Sequence, residues 1–407
     1  MQHLEKPRVR PYLVADQVRG EPSSFEISDL LRLSPAVMRV TALDLEIMKR
    51  MEGKQSIAEL QDSLKPMLGG GTVSPEYFTK LLAMLEECLF LDSPNWQSAI
   101  SSPVRPPSCI GCYDADPKNL TEQIESYYLH KNGPGVPKAR ATDHRMDAVL
   151  APHIDYARGG WNFAHAFGQI YENTTASLFV IVATSHYSPK RFTLTRKSFG
   201  TPLGEVPVDN AFCDRLEAVY GSGLYDDELR AHFPEHSIEL EVVFLQHLLG
   251  PNRPFRIVPL LVGSMDDMLQ DPAATSVPAD VARMVKALRQ AKEATSEPVC
   301  FVISGDLAHI GPKFGDKAGL PDDFLSHSQD QDLNLLAAAA TGSFQGYRQI
   351  LATEKDARRI CGFPSTWLTL QVLGQCTGKL LRFDQYVHPK GSESVSFASM
   401  AFQTRGR

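Results

Sequence analysis

Apolar and polar positions along this chain fall into two regimes. In the first ninety or so residues they recur at helical spacing in short segments, TALDLEIMKRMEG, SIAELQDSLKPML and YFTKLLAMLEECL. Thr41 and Asp44 open the first segment at capping-box spacing, and Gly53 closes it. Gly69, Gly70 and Gly71 close the second; Ser74 as N-cap and Pro75 in the first turn open the third. With FLDS as a final short strand, these segments predict a winged-helix-like domain over residues 1–95. A stretch rich in Ser and Pro, SPNWQSAISSPVRPPS, then predicts a linker over 96–107.

From residue 108 the pattern changes to buried runs alternating with amphipathic helices. NLTEQIESYY, GGWNFAHAFGQIYE, SIELEVVFLQHLL and PADVARMVKALRQAKE carry helical apolar stripes. Between them MDAVLAPH, SLFVIVATSH, FRIVPLLVG and VCFVISGD read as buried strands, with a polar excursion over 187–235. Near-continuous Val, Ile and Leu in strands separated by helices predicts an α/β domain over 108–407, a mostly parallel sheet with helices on both faces. LLRFDQYVHP and VSFASMAFQ are expected to add antiparallel strands.

Composition narrows the function classes. A chain of 407 residues, 43% hydrophobic, has ample material for two cores. The formal net charge of -7 argues against a nucleic-acid binder, because polyphosphate affinity needs clustered Lys and Arg. Within the third helical segment Lys80 faces Glu86 and Glu87, so no basic reading face is expected and protein or peptide docking is the better expectation. The N-terminal MQHLEKPRVRPY has no apolar signal core, and no apolar run reaches the roughly eighteen residues of a membrane span, so a cytoplasmic location without membrane insertion is expected. Seven cysteines, an odd number, suit reduced thiols; Cys109 and Cys112 form the one close pair.

Three buried strands run directly toward a histidine, at His153, His186 and His309. Taken singly, each is a satisfied strand-end histidine. Together they are delivered to one rim, because the carboxyl ends of parallel strands line a shared crevice where ligands bind. Two neutral imidazoles, His153 and His186, would hold a divalent transition metal completed by an anion; Asp306, Glu235, Asp155 and Cys361 are available. Arg358, Arg359 and a helix start near Pro364 are expected to lower the Cys361 thiol toward the thiolate.

APHIDYARGG, ATSHYS, PEHSIELE, ISGDLAH and ICGFPS, preceded by CIGCYDADPKNLTEQI, occur in an order that resembles the Memo family, whose bacterial members are called AmmeMemoRadiSam system protein B. That fold is similar to class III extradiol dioxygenases. The resemblance implies that His153, His186 and Cys361 are metal ligands, most readily for iron as Fe2+, with zinc or copper as alternatives. It places His309 as the acid/base, with Asp306, His236 and Glu235 in the same cleft, and a small molecule or peptide as substrate. A radical-SAM protein is the implied partner, and the N-terminal region is similar to PqqD-like peptide-recognition domains. His153-Ile154-Asp155-Tyr156 departs from the His-Ala-Gly-Tyr of many members, bringing a carboxylate near the first ligand. Beside metal-dependent redox chemistry, two other readings stand: a zinc hydrolase with Asp306 or Glu235 as base, and a non-catalytic metal- or ligand-binding interaction protein.

Overall fold

The computed structural model describes residues 2–250, 253–317 and 319–405. The chain divides into two compact units, residues 1–103 and 104–407, each with its own hydrophobic core.

In the first unit the three helices form where the capping signals place them, over Ala42–Arg50, Ile57–Leu64 and Pro75–Glu87. Thr41 and Asp44 make a reciprocal capping box, as do Ser56 and Glu59; Ser74 caps the third helix with Pro75 in its first turn. The helical reading did not foresee the three-stranded antiparallel sheet that precedes them, Leu13–Gln17, Ser24–Asp29 and Met38–Thr41. The first strand is largely exposed and the third, though it alternates, is only four residues long, too short to stand out as a period of two. FLDS makes no extended strand; Leu91 forms a single bridge to Val9. Residues 96–107, read as a linker, carry most of the helix Pro94–Ser101 and the short strand Val104–Arg105. The Ser-Pro pair that suggested a linker is also a helix-start signal: Ser93 caps that helix, and Trp96 is buried against its unit.

The second unit is an α/β fold built on a mostly parallel sheet flanked by helices. Four parallel strands form its centre in the order Ala148–Ala151, Val299–Ser304, Leu178–Thr184 and Arg256–Val262. Their residues are buried almost throughout, as strands covered by helices must be. Ser394–Thr404 pairs antiparallel with Ala148–Ala151 and with Cys376–Val387, so the predicted antiparallel additions form one long hairpin at this side. The helices Pro117–Leu129, Tyr156–Asn173, Glu239–Leu249 and Ala279–Glu293 lie where periodicity placed them. The excursion over 187–235 is more ordered than its polarity suggested, with three short strands and the helix Asn210–Tyr220.

Register decides where the histidines emerge. Ala151 lies opposite Ser304, and Ser304 opposite Ala183, so the three strand ends are level. His153 and His186 follow their strands by two residues. His309 comes later: its strand stops at Ser304, the chain turns through Gly305–Ala308, and His309 opens a new strand paired with Val395.

Candidate metal centre

The level strand ends bring His153, His186 and His236 together, with one ring nitrogen of each within 4.8 Å of the others. Ring centroids are 5.1 Å apart for His153 and His186, 5.4 Å for His153 and His236, and 5.0 Å for His186 and His236. His236 comes from the turn before the helix Glu239–Leu249, and so joins a group that strand ends alone do not predict.

What stands behind each ring sets its tautomer. The Ser304 hydroxyl donates to the Ser237 carbonyl at 2.7 Å, so its oxygen is left to accept from His153 Nδ1 at 3.3 Å. Glu235 Oε1 lies 2.9 Å from His186 Nδ1 and 3.2 Å from His236 Nδ1. With Nδ1 turned to these acceptors in all three rings, Nε2 is the nitrogen left to bind a metal; Glu235 outweighs burial and raises the His186 imidazole above its ordinary range, so a cation would have to displace a proton from that ring. Glu235 also accepts from the backbone of His186 and His236, at 2.8 and 3.0 Å. Burial opposes its charge, but His186 and His236 outweigh burial and hold the carboxyl well below the usual range. It is therefore an orienting carboxylate behind two rings.

Cys361 arrives from a distant segment through a glycine contact. Gly362 N–H donates to the Asp306 carbonyl at 2.9 Å, and a Cβ on Gly362 would lie 2.8 Å from that oxygen and 3.0 Å from Gly305 Cα. Only two glycines allow these backbones to touch. The approach sets Cys361 Sγ 3.3 Å from His153 Nε2. Donors held about 2.1 and 2.3 Å from one ion are separated by roughly 3.1–3.6 Å, so this one hydrogen-bonded pair has a spacing compatible with a shared cation, whereas the three donors that all lie within 4.8 Å of one another are His153, His186 and His236 rather than the expected His153, His186 and Cys361. The predicted activation of this thiol is not observed. Burial, reinforced by Asp306, pushes the Cys361 thiol well above its ordinary range. Arg358 is paired with Asp332 and Glu354, and Arg359 with Asp316, so neither charge serves the sulfur. A thiolate here would require a bound cation to displace the proton.

Asp306 and His309 complete the rim. Asp306 is buried, accepts from the His153 backbone at 3.0 Å and has Oδ2 3.8 Å from His153 Nε2; burial outweighs these contacts and raises its carboxyl to about 7. His309 Nδ1 faces the carbonyls of Leu307 and Arg359 at 3.0 and 3.2 Å, so it carries the proton and Nε2 is a free base. Burial lowers this imidazole to about 4 despite those carbonyls, so it is neutral at pH 7. Asp155, near the first ligand in sequence, pairs instead with Arg158 at 3.3 Å.

One organising residue lay unremarked in the presumed linker. Arg105 is fully buried and donates to the carbonyls of His232, Phe233 and Glu235 at 2.6, 3.0 and 2.6 Å. Its counter-ion is Glu239, which also accepts from Tyr113, from the Cys109 backbone and from Ser108. Arg105 thus holds the loop that presents Glu235 and His236. A lone Arg beside prolines carries no sequence signal for this role.

The Memo-like protein family profile matches residues 105–401. A MEMO1 family protein of Methanopyrus kandleri is 28% identical over 309 residues, 74% of this chain and 99% of that protein. One from Sulfolobus acidocaldarius is 29% identical over 68% of this chain and 89% of its own length. A MEMO1 family protein of Aquifex aeolicus is 24% identical over 98% of this chain and all of its own length, so the similarity there includes the N-terminal unit.

Proposed function

The chain belongs to the Memo-like protein family, and from that premise we propose that it is a mononuclear iron protein carrying out redox chemistry on a small molecule or peptide. The observation that carries this reading is the donor group itself: three imidazoles with Nδ1 engaged behind them, and the Cys361 sulfur 3.3 Å from His153 Nε2. His153, His186 and Cys361 would hold the ion, with His236 as a further nitrogen donor beside the substrate position. Bound there, iron supplies Lewis acidity and one-electron chemistry toward a chelating substrate. Glu235 and Ser304 keep the rings in their binding tautomers. His309, neutral with Nε2 free, accepts a proton from a substrate hydroxyl, and Asp306, titrating near pH 7, stores and returns one. The N-terminal unit is the docking element in this reading, and a radical-SAM protein its partner.

The test is elemental and spectroscopic analysis of full-length protein purified without oxygen. One iron per chain is expected, lost in His153→Ala, His186→Ala and Cys361→Ser but retained in His309→Ala, which loses turnover. Stoichiometric zinc that resists chelation would overturn the iron assignment. It would favour a second reading, zinc-dependent hydrolysis, which rests on a specific observation: three clustered histidines are a donor set that leaves a position for water, with Asp306 near neutral pKa as base.

A further inference from the structure

Cys109 and Cys112 stand apart from the histidine group, and the proposed chemistry does not use them. They end a tight turn, Cys109-Ile110-Gly111-Cys112, closed by the Cys112 N–H donating to the Cys109 carbonyl at 2.9 Å. Gly111 has φ +106°, a left-handed value that glycine adopts without strain. Such a turn brings its terminal Cα atoms within about 7 Å, and disulfides span Cα separations of roughly 4.4–6.8 Å. Both thiols are free.

The two sulfurs occupy different surroundings. Cys112 is half-buried, whereas Cys109 is 2% exposed with Sγ 3.0 Å from Glu239 Oε1. Burial, the adjacent Cys112 and Glu239 together hold the Cys109 thiol well above its ordinary range. Glu239 stays ionised because Arg105 and its hydrogen-bond donors outweigh its own burial. A half-buried cysteine thus sits beside a buried thiol whose proton points at a carboxylate.

We infer that this turn is a thiol–disulfide exchange site, in which Cys112 attacks, Cys109 resolves and Glu239 takes the Cys109 proton. The oxidant is a small disulfide of the glutathione class or an exposed protein disulfide. Cys112, after losing its proton to water, attacks one sulfur of the oxidant; that S–S bond breaks, one thiolate leaves and is protonated, and a mixed disulfide remains on Cys112. Cys109 then passes its proton to Glu239 and attacks the Cys112 sulfur. The second thiolate departs, taking the proton from Glu239. Two protein thiols are oxidised by two electrons, and one disulfide is reduced to two thiols. The exchange requires no metal.

The full-length reduced protein, placed in anaerobic glutathione buffers of increasing oxidised fraction, tests this by intact mass and peptide mapping. Two of the seven thiols should be lost, with the new bond joining residues 109 and 112. Cys109→Ser should accumulate one glutathionyl group on Cys112. Cys112→Ser should keep its remaining thiols under the same conditions. Retention of all seven thiols in the wild type, a stable glutathionyl adduct without closure, or a bond to Cys361 would each overturn the assignment. In wild type, closure from the mixed disulfide should be nearly pH-independent from about pH 6 to about pH 8; a rate rising about tenfold per pH unit would exclude Glu239 as the proton acceptor.

Discussion

At the scale of single residues, the centre depends on atoms that are absent as much as on those present. Gly305 and Gly362 touch because neither carries a Cβ, and this contact brings Cys361 to His153. Gly362→Ala should therefore cost about 1–3 kcal/mol in denaturant unfolding and weaken metal binding more than Gly319→Ala, whose added Cβ meets nothing within 4 Å. Glu235 acts by orientation. Glu235→Gln keeps the size but loses the charge, and is expected to weaken metal affinity by roughly 10–100-fold and, because the folded state holds this carboxyl well below its usual range, to lower the thermal midpoint as well; competition against a chelator reads the first and calorimetry the second. The residue types at the rim were legible from sequence, the histidines from their places at strand ends and Cys361 only through the family resemblance, since ICGFPS by itself reads as an inert loop thiol. Their tautomers were not, since Ser304, Ser237 and Glu235 act through hydrogen bonds between segments far apart in the chain.

At the scale of elements, the loop before the helix Glu239–Leu249 is the piece held most elaborately. Its own sequence offers no regular structure; Arg105 fastens its Phe233 and Glu235 carbonyls together with that of His232, the last residue of the short helix before it, and Ser237 donates to the carbonyl of Thr184 at the adjacent strand end. Arg105→Ala would leave Glu239 buried without its counter-ion, and a loss of about 3–5 kcal/mol in unfolding free energy is expected. Arg105→Met combined with Glu239→Gln removes the uncompensated charge, so much of the stability should return while metal affinity stays weakened, because the carbonyl clamp remains absent. Recovery of full affinity in the double variant would show that Arg105 contributes only to folding. Composition pointed the other way at this segment: Ser and Pro suggested a flexible linker, but they serve here as a helix cap and as flanks of a buried arginine.

At the scale of the whole molecule, the separation into two cores carries its own expectation. Residues 104–407 expressed alone should unfold cooperatively and bind metal with the affinity of the intact chain, since every donor lies within that unit and the Methanopyrus kandleri relative aligns with 74% of this chain along almost its entire length. Acid stability follows from buried neutral histidines. His232 is fully enclosed, and burial, aided by Arg105, lowers it to about 3 from the usual 6.5. Below about pH 6.5 the unfolded chain takes up a proton that the folded one refuses, so stability falls as pH drops from 6.5 toward 3, by at most about 1.4 kcal/mol per pH unit for this one group. His232→Phe should flatten that part of the curve in denaturant titrations; an unchanged slope would assign the acid sensitivity elsewhere.

The α/β class, the central strands and flanking helices of the second unit, the capped helices of the N-terminal unit and the histidines of the rim were all determined by the sequence alone. Each depends on local periodicity or on a short-range signal, which a linear string preserves. Tertiary structure decided the rest: that His236 enters the group with His153 and His186, that Glu235 lies behind the rings of His186 and His236, that burial raises the Cys361 thiol, and that Arg105 fastens the loop carrying Glu235 and His236. These outcomes depend on strand register, on a glycine contact between segments more than fifty residues apart, and on which charges are already paired. Burial and pairing are properties of a closed surface, and a chain acquires them only when its distant segments meet.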